Sequence, residues 1–277
     1  MSLGVPDNGP KQTTRWHRVA LRVFLAVVVL YAAGLVVAWF AQETFIFPRW
    51  LIPADRWSGP VPIAAESLHV ASADGSVPGW FFPGEAGAGV IVYLHGNGRV
   101  IDDCVGVCRG LQASGWHVLL PEYRGYGRAP GSPSQAAISA DITAFVKQVR
   151  SMEGVNKPLV LYGRSIGSCF AATLAKALHA DALILQTPPA GIRQMAARYG
   201  VPGFVIHNPL DSVSALGAMG PVPTLVIEHA QDTLVPASHA KAVLRASDGE
   251  HCLVDGTHNE CDDAAVERAV EAFLKDR

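Results

Sequence analysis

The pentapeptide Gly163-Arg164-Ser165-Ile166-Gly167 restricts the fold of this chain more than any other feature. It follows an apolar, strand-like run from Pro158 to Tyr162 and leads into Cys169-Phe170-Ala171-Ala172-Thr173-Leu174-Ala175, a small-residue stretch that reads as a helix. A serine on so sharp a strand-to-helix turn exposes its hydroxyl above a sheet. Glycines two residues to either side let strand and helix approach where a Cβ would collide. The unit this demands is a buried strand with a helix folded back against it.

A neutral serine hydroxyl is a poor nucleophile, so the chemistry needs a base to take its proton and an acid to orient the base. In this topology both come later in the chain, each on a loop at the carboxyl end of a strand. Thr224-Leu225-Val226-Ile227-Glu228 reads as a buried parallel strand, and the loop after it carries Asp232. A short strand near Cys252-Leu253-Val254 is followed by Gly256-Thr257-His258-Asn259, ahead of a terminal helix opened by Asp262 and Asp263. Asp232 and His258 are therefore the expected acid and base, with Asp211 and Asp255 as reserve acids.

An acyl-transfer site also needs donors for a developing alkoxide. The apolar strand Val90–Leu94 runs into His95-Gly96-Asn97-Gly98, where the hydrolase template places such a loop. The backbone N–H groups of Asn97 and Ile166 are the expected pair, and His95 is expected to be structural.

Together these strings resemble the α/β-hydrolases, and more narrowly a membrane-anchored serine hydrolase branch related to protein depalmitoylases and serine aminopeptidase-like proteins. The marks are the His95–Gly98 loop, the run from Glu122 to Ser134 (EYRGYGRAPGSPS), the elbow at Ser165 and the two later loops, spread over residues 44 to 277. The resemblance implies a serine hydrolase without metal or cofactor, acting on an ester, thioester or amide. A peptidase with the same residues and a non-catalytic, membrane-tethered binding module are the alternatives. Two positions depart from the family pattern, with Thr257 before the histidine and Ala230 after His229 where glycines are usual.

The remaining elements suit a mostly parallel, doubly wound α/β sheet. Glu66–Val70 and Val77–Phe82 read as an antiparallel hairpin through Asp74-Gly75. Strands at Val90–Leu94, Val118–Pro121, Leu159–Tyr162, Ala182–Gln186 and Thr224–Glu228 alternate with helices near Val100–Ser114, Gln135–Val149 and Ser168–Leu178. Ala190–Gly220, rich in glycine and proline, is the candidate for a minimal cap, with an ordinary crossover of irregular loops as the alternative.

From Val23 to Gln42 the chain is uncharged and apolar, long enough to cross a roughly 30 Å hydrocarbon layer as a helix. The residues at its exit lack the A-x-A pattern of a cleaved signal peptide. Lys11, Arg15, Arg18 and Arg22 precede the span, which by the positive-inside tendency leaves residues 1–22 cytoplasmic. The expected organisation is a transmembrane helix over 23–42, a juxtamembrane connector over 43–59 and a hydrolase domain over 60–277 on the non-cytoplasmic side. With 22 basic and 24 acidic residues, the chain has no charge excess to recruit nucleic acid. Its five cysteines form no CxxC pattern. Cys104 and Cys108 fit a helix core, and Cys252 and Cys261 could bridge across the His258 loop in an oxidising compartment.

Overall fold

A computed structural model describes residues 11–155, 158–275 and 277, and resolves into two compact units, Met1–Gln42 and Glu43–Arg277. Residues 1–10 of the expected cytoplasmic tail lie outside the described residues. Helix α1, Lys11–Ile46, contains the expected span and runs beyond it at both ends. It stops just short of Pro48, whose ring disfavours helical backbone in the residue before it. From Arg15 to Ile46 it is long and apolar enough to cross a membrane, and side chains such as Phe24, Leu30 and Phe40 stand exposed along it.

The larger unit is built on one eight-stranded sheet: β1 (Glu66–Ser72), β2 (Gly75–Phe82), β3 (Val90–Leu94), β4 (His117–Pro121), β5 (Leu159–Arg164), β6 (Ala182–Gln186), β7 (Thr224–His229) and β8 (Glu250–Val254). Their spatial order is β1-β2-β4-β3-β5-β6-β7-β8, antiparallel through β1, β2 and β4 and parallel from β4 onward. The chain leaves β3 for β4 on one side and returns to β5 on the other. The loops after β3 and β5 consequently part at a topological switch point, the crevice where open α/β sheets bind ligands.

Strand alternation sorts the core into two layers. Val90, Val92 and Leu94 with Leu159 and Leu161 face α3 (Gln135–Arg150) and α4 (Ile166–Leu178), while Ile91, Tyr93, Val160 and Tyr162 face α2 (Val105–Ala113) and α8 (Asp263–Leu274). Cys104 and Cys108 sit in the second layer as core residues. The helix expected from Val100 begins instead as a 3-10 turn, Ile101–Cys104, before α2, and the helix expected from Ser168 starts two residues earlier. Between β6 and β7 the minimal cap holds only α5 (Ile192–Ala197), a 3-10 turn at Gly203–Val205 and α6 (Ser212–Gly217); α7 (Ala237–Ser247) follows β7.

The connector expected at 43–59 is not a spacer. Phe47 and Ile52 are buried in the same core layer as Leu94 and Tyr126, so the compact unit begins at Glu43 rather than near residue 60. Arg49 Nη1 donates to Gly131 O at 2.8 Å and ties this strap to the run after β4.

Candidate active site

Ser165 occupies the turn between β5 and α4 with φ 54° and ψ −121°, a conformation a non-glycine residue holds only where its surroundings enforce it. The flanking glycines show the enforcement. A Cβ on Gly167 would lie 2.0 Å from Leu94 O, and one on Gly163 would lie 2.3 Å from Gly167 O. Although Ser165 stands at the helix N-cap, its hydroxyl bonds no helical N–H. It faces His258 instead, Oγ to Nε2 at 2.9 Å.

His258 Nδ1 in turn lies 2.7 Å from Asp232 Oδ2. Asp232 Oδ1 accepts from the backbone N–H groups of Leu234 at 2.9 Å and Val235 at 2.8 Å. Burial pushes this carboxyl up, but the His258 hydrogen bond and the two N–H donors outweigh it and hold the group below the usual carboxylate range. It stays an anion beside the imidazole. Of the reserve acids, Asp211 caps α6 by accepting from Ser214 N–H, and Asp255 is exposed on the loop after β8.

Neither departure from the family pattern disturbs this geometry. Thr257 and Ala230 both have negative φ, so a Cβ is tolerated; the glycine that is needed is Gly256, at φ 142°. There a Cβ would fall 2.4 Å from Cys261 Cα. Cys252 and Cys261 are free thiols, and Cys261 Sγ donates to Asp263 Oδ1 at 3.4 Å, so the bridge considered from sequence is absent.

The His95–Gly98 loop lies alongside the serine, with the Cβ position of Gly96 3.5 Å from Ser165 Cβ. Arg99 N–H closes the turn onto Gly96 O, leaving the Asn97 N–H out of the turn's own bonding. Ile166 is the first residue of α4 and its N–H has no partner within the helix. The Asn97 side chain is tethered through both of its polar atoms. Its Nδ2 donates to Ile46 O and its Oδ1 accepts from Tyr126 OH, both at 2.7 Å. His95 is buried behind the loop, 3.0 Å from Glu122 Oε1 and stacked on Tyr123, a scaffold position.

Two further contacts hold the histidine loop, and neither is signalled by a motif. Arg164 Nη2 donates to His258 O at 3.1 Å and Asn259 O at 2.9 Å. Buried His229 lies 3.0 Å by Nε2 from Gln186 Nε2 and donates through Nδ1 to Thr257 O at 2.7 Å. Burial pushes the His229 imidazole below its ordinary pKa, consistent with a neutral ring that accepts at one nitrogen and donates at the other.

Comparison with known proteins agrees with this architecture. A model of the family described as serine aminopeptidase, S33, matches residues 86–206, a stretch that includes the His95–Gly98 loop and the elbow but not the Asp232 or His258 loops. The protein YfhR of Escherichia coli K12 is 27% identical over 93% of this chain and 95% of its own length. The lysophosphatidylserine lipase ABHD12 of Danio rerio is 33% identical over 53% of this chain and 44% of that one. Among solved structures, the Pyrococcus furiosus esterase Pf2001 superposes with a TM-score of 0.63 at 18% identity, covering 76% of this chain and 90% of that one. The thioesterase domain from the curacin biosynthetic pathway gives 0.59 at 16%, covering 76% and 99%.

Proposed function

This chain is an α/β-hydrolase of the serine-hydrolase type, and we propose that it cleaves an ester or thioester through an acyl-enzyme on Ser165. The observation that carries the proposal is the continuous hydrogen-bonded line from Asp232 through His258 to the Ser165 hydroxyl, at 2.7 and 2.9 Å. His258 Nε2 takes the hydroxyl proton as Oγ attacks the acyl carbon, and Asp232 holds the tautomer and stabilises the imidazolium. The alkoxide so formed is met by the N–H groups of Asn97 and Ile166, the latter at the positive end of the α4 dipole. His258 then protonates the departing alcohol or thiol, and water repeats the sequence to release the acid.

An acyl ester or thioester is favoured over a peptide by the relatives whose names state a lipase, an esterase and a thioesterase. The aminopeptidase name of the matching family supports a second reading, amide cleavage by the same residues. The bonded serine supports either reading over a non-catalytic binding module. We further propose that α1 anchors the protein in a membrane with its amino terminus cytoplasmic and the hydrolase unit on the other side, facing substrates that include lipid-linked acyl groups. A panel of p-nitrophenyl esters, acyl-thioesters and aminoacyl amides tests the proposal. Turnover confined to the esters and thioesters is expected, turnover confined to the amides would establish the peptidase, and none on any would revive the binding module.

A further inference from the structure

We propose that the rim of this site is a lipid-docking surface that rests on the bilayer in which α1 is anchored. Six of the large apolar side chains left exposed in the unit Glu43–Arg277 lie around one end of the sheet; Val61 and Ile63 before β1 and Leu253 on β8 are exposed apart from them. Phe45, Trp50 and Leu51 lie at the end of α1 and on the strap, Tyr199 (76% exposed) and Phe204 (74%) on the β6–β7 connection, and Leu234 on the Asp232 loop. Each of these segments is placed at the carboxyl ends of the strands. The strap is bonded there by the Asn97 to Ile46 hydrogen bond, and the other two leave β6 and β7 directly. Arg198 Nη1 to Leu234 O, at 3.4 Å, joins the Tyr199 turn to the Asp232 loop.

At the opposite end of the sheet, the cleft beside the amino ends of β3, β4 and β5 mixes charged Glu85, Arg268, Glu271 and Lys275 with apolar Leu111, Trp116 and Leu274. A cluster of exposed large apolar side chains around the rim of a site marks a binding surface. Tryptophan and tyrosine beside arginine, here Arg49 and Arg198, is the composition that sits at headgroup level, with rings in the acyl boundary and guanidinium near phosphate.

Chain connectivity selects the bilayer as occupant. Trp50 follows the last residue of α1 by four positions, a reach of at most about 14 Å from the end of the apolar helix. A rim so tethered meets the membrane surface before any dissolved partner. It would seat the opening above Ser165 against the lipid, so that an acyl chain can enter without crossing water.

The substrate arm of the test rests on the hydrolase reading; a second arm does not. The full chain, wild type and Tyr199→Ser/Phe204→Ser, is reconstituted in phosphatidylcholine vesicles. It is assayed on soluble 4-methylumbelliferyl butyrate and on 4-methylumbelliferyl oleate dissolved in the bilayer, which share a leaving group. The double variant should keep butyrate turnover within about 2-fold and lose about 5- to 20-fold on the oleate, as expected when two interfacial rings are removed. Equal loss on both esters, or none on the oleate, overturns the proposal. In the second arm, brominated phosphatidylcholine should quench wild type more than Trp50→Phe, and equal quenching of the two overturns it. If wild type hydrolyses neither ester, the hydrolase reading fails while the quenching still decides the docking.

Discussion

Two loops meet at the switch point, and they are held in opposite ways. The elbow after β5 is fixed by its own backbone. Positive φ at Ser165 and the absent side chains of Gly163 and Gly167 set its conformation, and the residue types that permit it lie within the pentapeptide even though Gly167 packs on Leu94 O. The loop after β3 is fixed by distant side-chain bonds: Asn97 reaches Ile46 and Tyr126, and His95 reaches Glu122. On the proposed reading, the site pairs a nucleophile and one donor, the Ile166 N–H, whose placement is local with a second donor, the Asn97 N–H, whose placement depends on the rest of the chain. The two halves should then fail differently when perturbed.

The largest effect is expected at the elbow. Ser165→Ala should remove turnover by about 10⁶-fold without unfolding the protein, because the remaining groups act only as a unit with the nucleophile. Steady-state kinetics beside a circular dichroism spectrum would check this, and retained turnover would mean the loop does not carry the nucleophile. Asp232→Asn should lower kcat by up to about 10⁴-fold through the wrong imidazole tautomer. Near-normal rates there would transfer the role to another acid.

Gly167→Ala should act on folding instead, since a methyl 2.0 Å from Leu94 O must push strand and helix apart. A loss of about 3 kcal/mol or more is expected by urea denaturation, and an unchanged midpoint would show the elbow to be less rigid than described. Asn97→Ala keeps the backbone N–H but cuts both tethers. Because misplacing one oxyanion donor costs less than removing it, kcat for a soluble ester should fall about 10- to 100-fold with KM little changed. A fall matching that of Ser165→Ala would erase the contrast between the two loops, and no fall at all would leave the long-range tethers without a role.

The contrast also explains what could be read from sequence. The strings around Ser165, Asp232 and His258 are local signals in a fixed chain order, and the strand–helix alternation that positions them is equally local. The strap reads from sequence as a connector, since an apolar stretch after a span has the same pattern whether it lies in the interface or packs in a core. The burial of Phe47 and Ile52 distinguishes the two. Arg164 is an arbitrary residue of the elbow pattern, and nothing in one sequence shows that it reaches the His258 loop across the sheet. The six-residue helices α5 and α6 are too short to display a period.

The smallest expected effect is on the pH dependence of stability. Burial lowers the pKa values of His229 and His239, and His239 Nδ1 accepts from Ala190 N–H, so both are neutral in the fold. As pH falls through about 6.5 the unfolded chain binds protons first, and stability must drop. Melting temperature should decline from pH 7.5 to 5.5, less steeply in His229→Gln, whose amide can still donate to Thr257 O. Parallel slopes in wild type and variant would detach His229 from the effect.

The most direct test of the central claim is the site of covalent modification by a fluorophosphonate. Peptide mapping of the labelled wild-type protein should place a single adduct on Ser165, and the folded His258→Ala variant should not label, because the unassisted hydroxyl is unreactive. A folded wild type that takes no label, or an adduct mapped to any other residue, would contradict it.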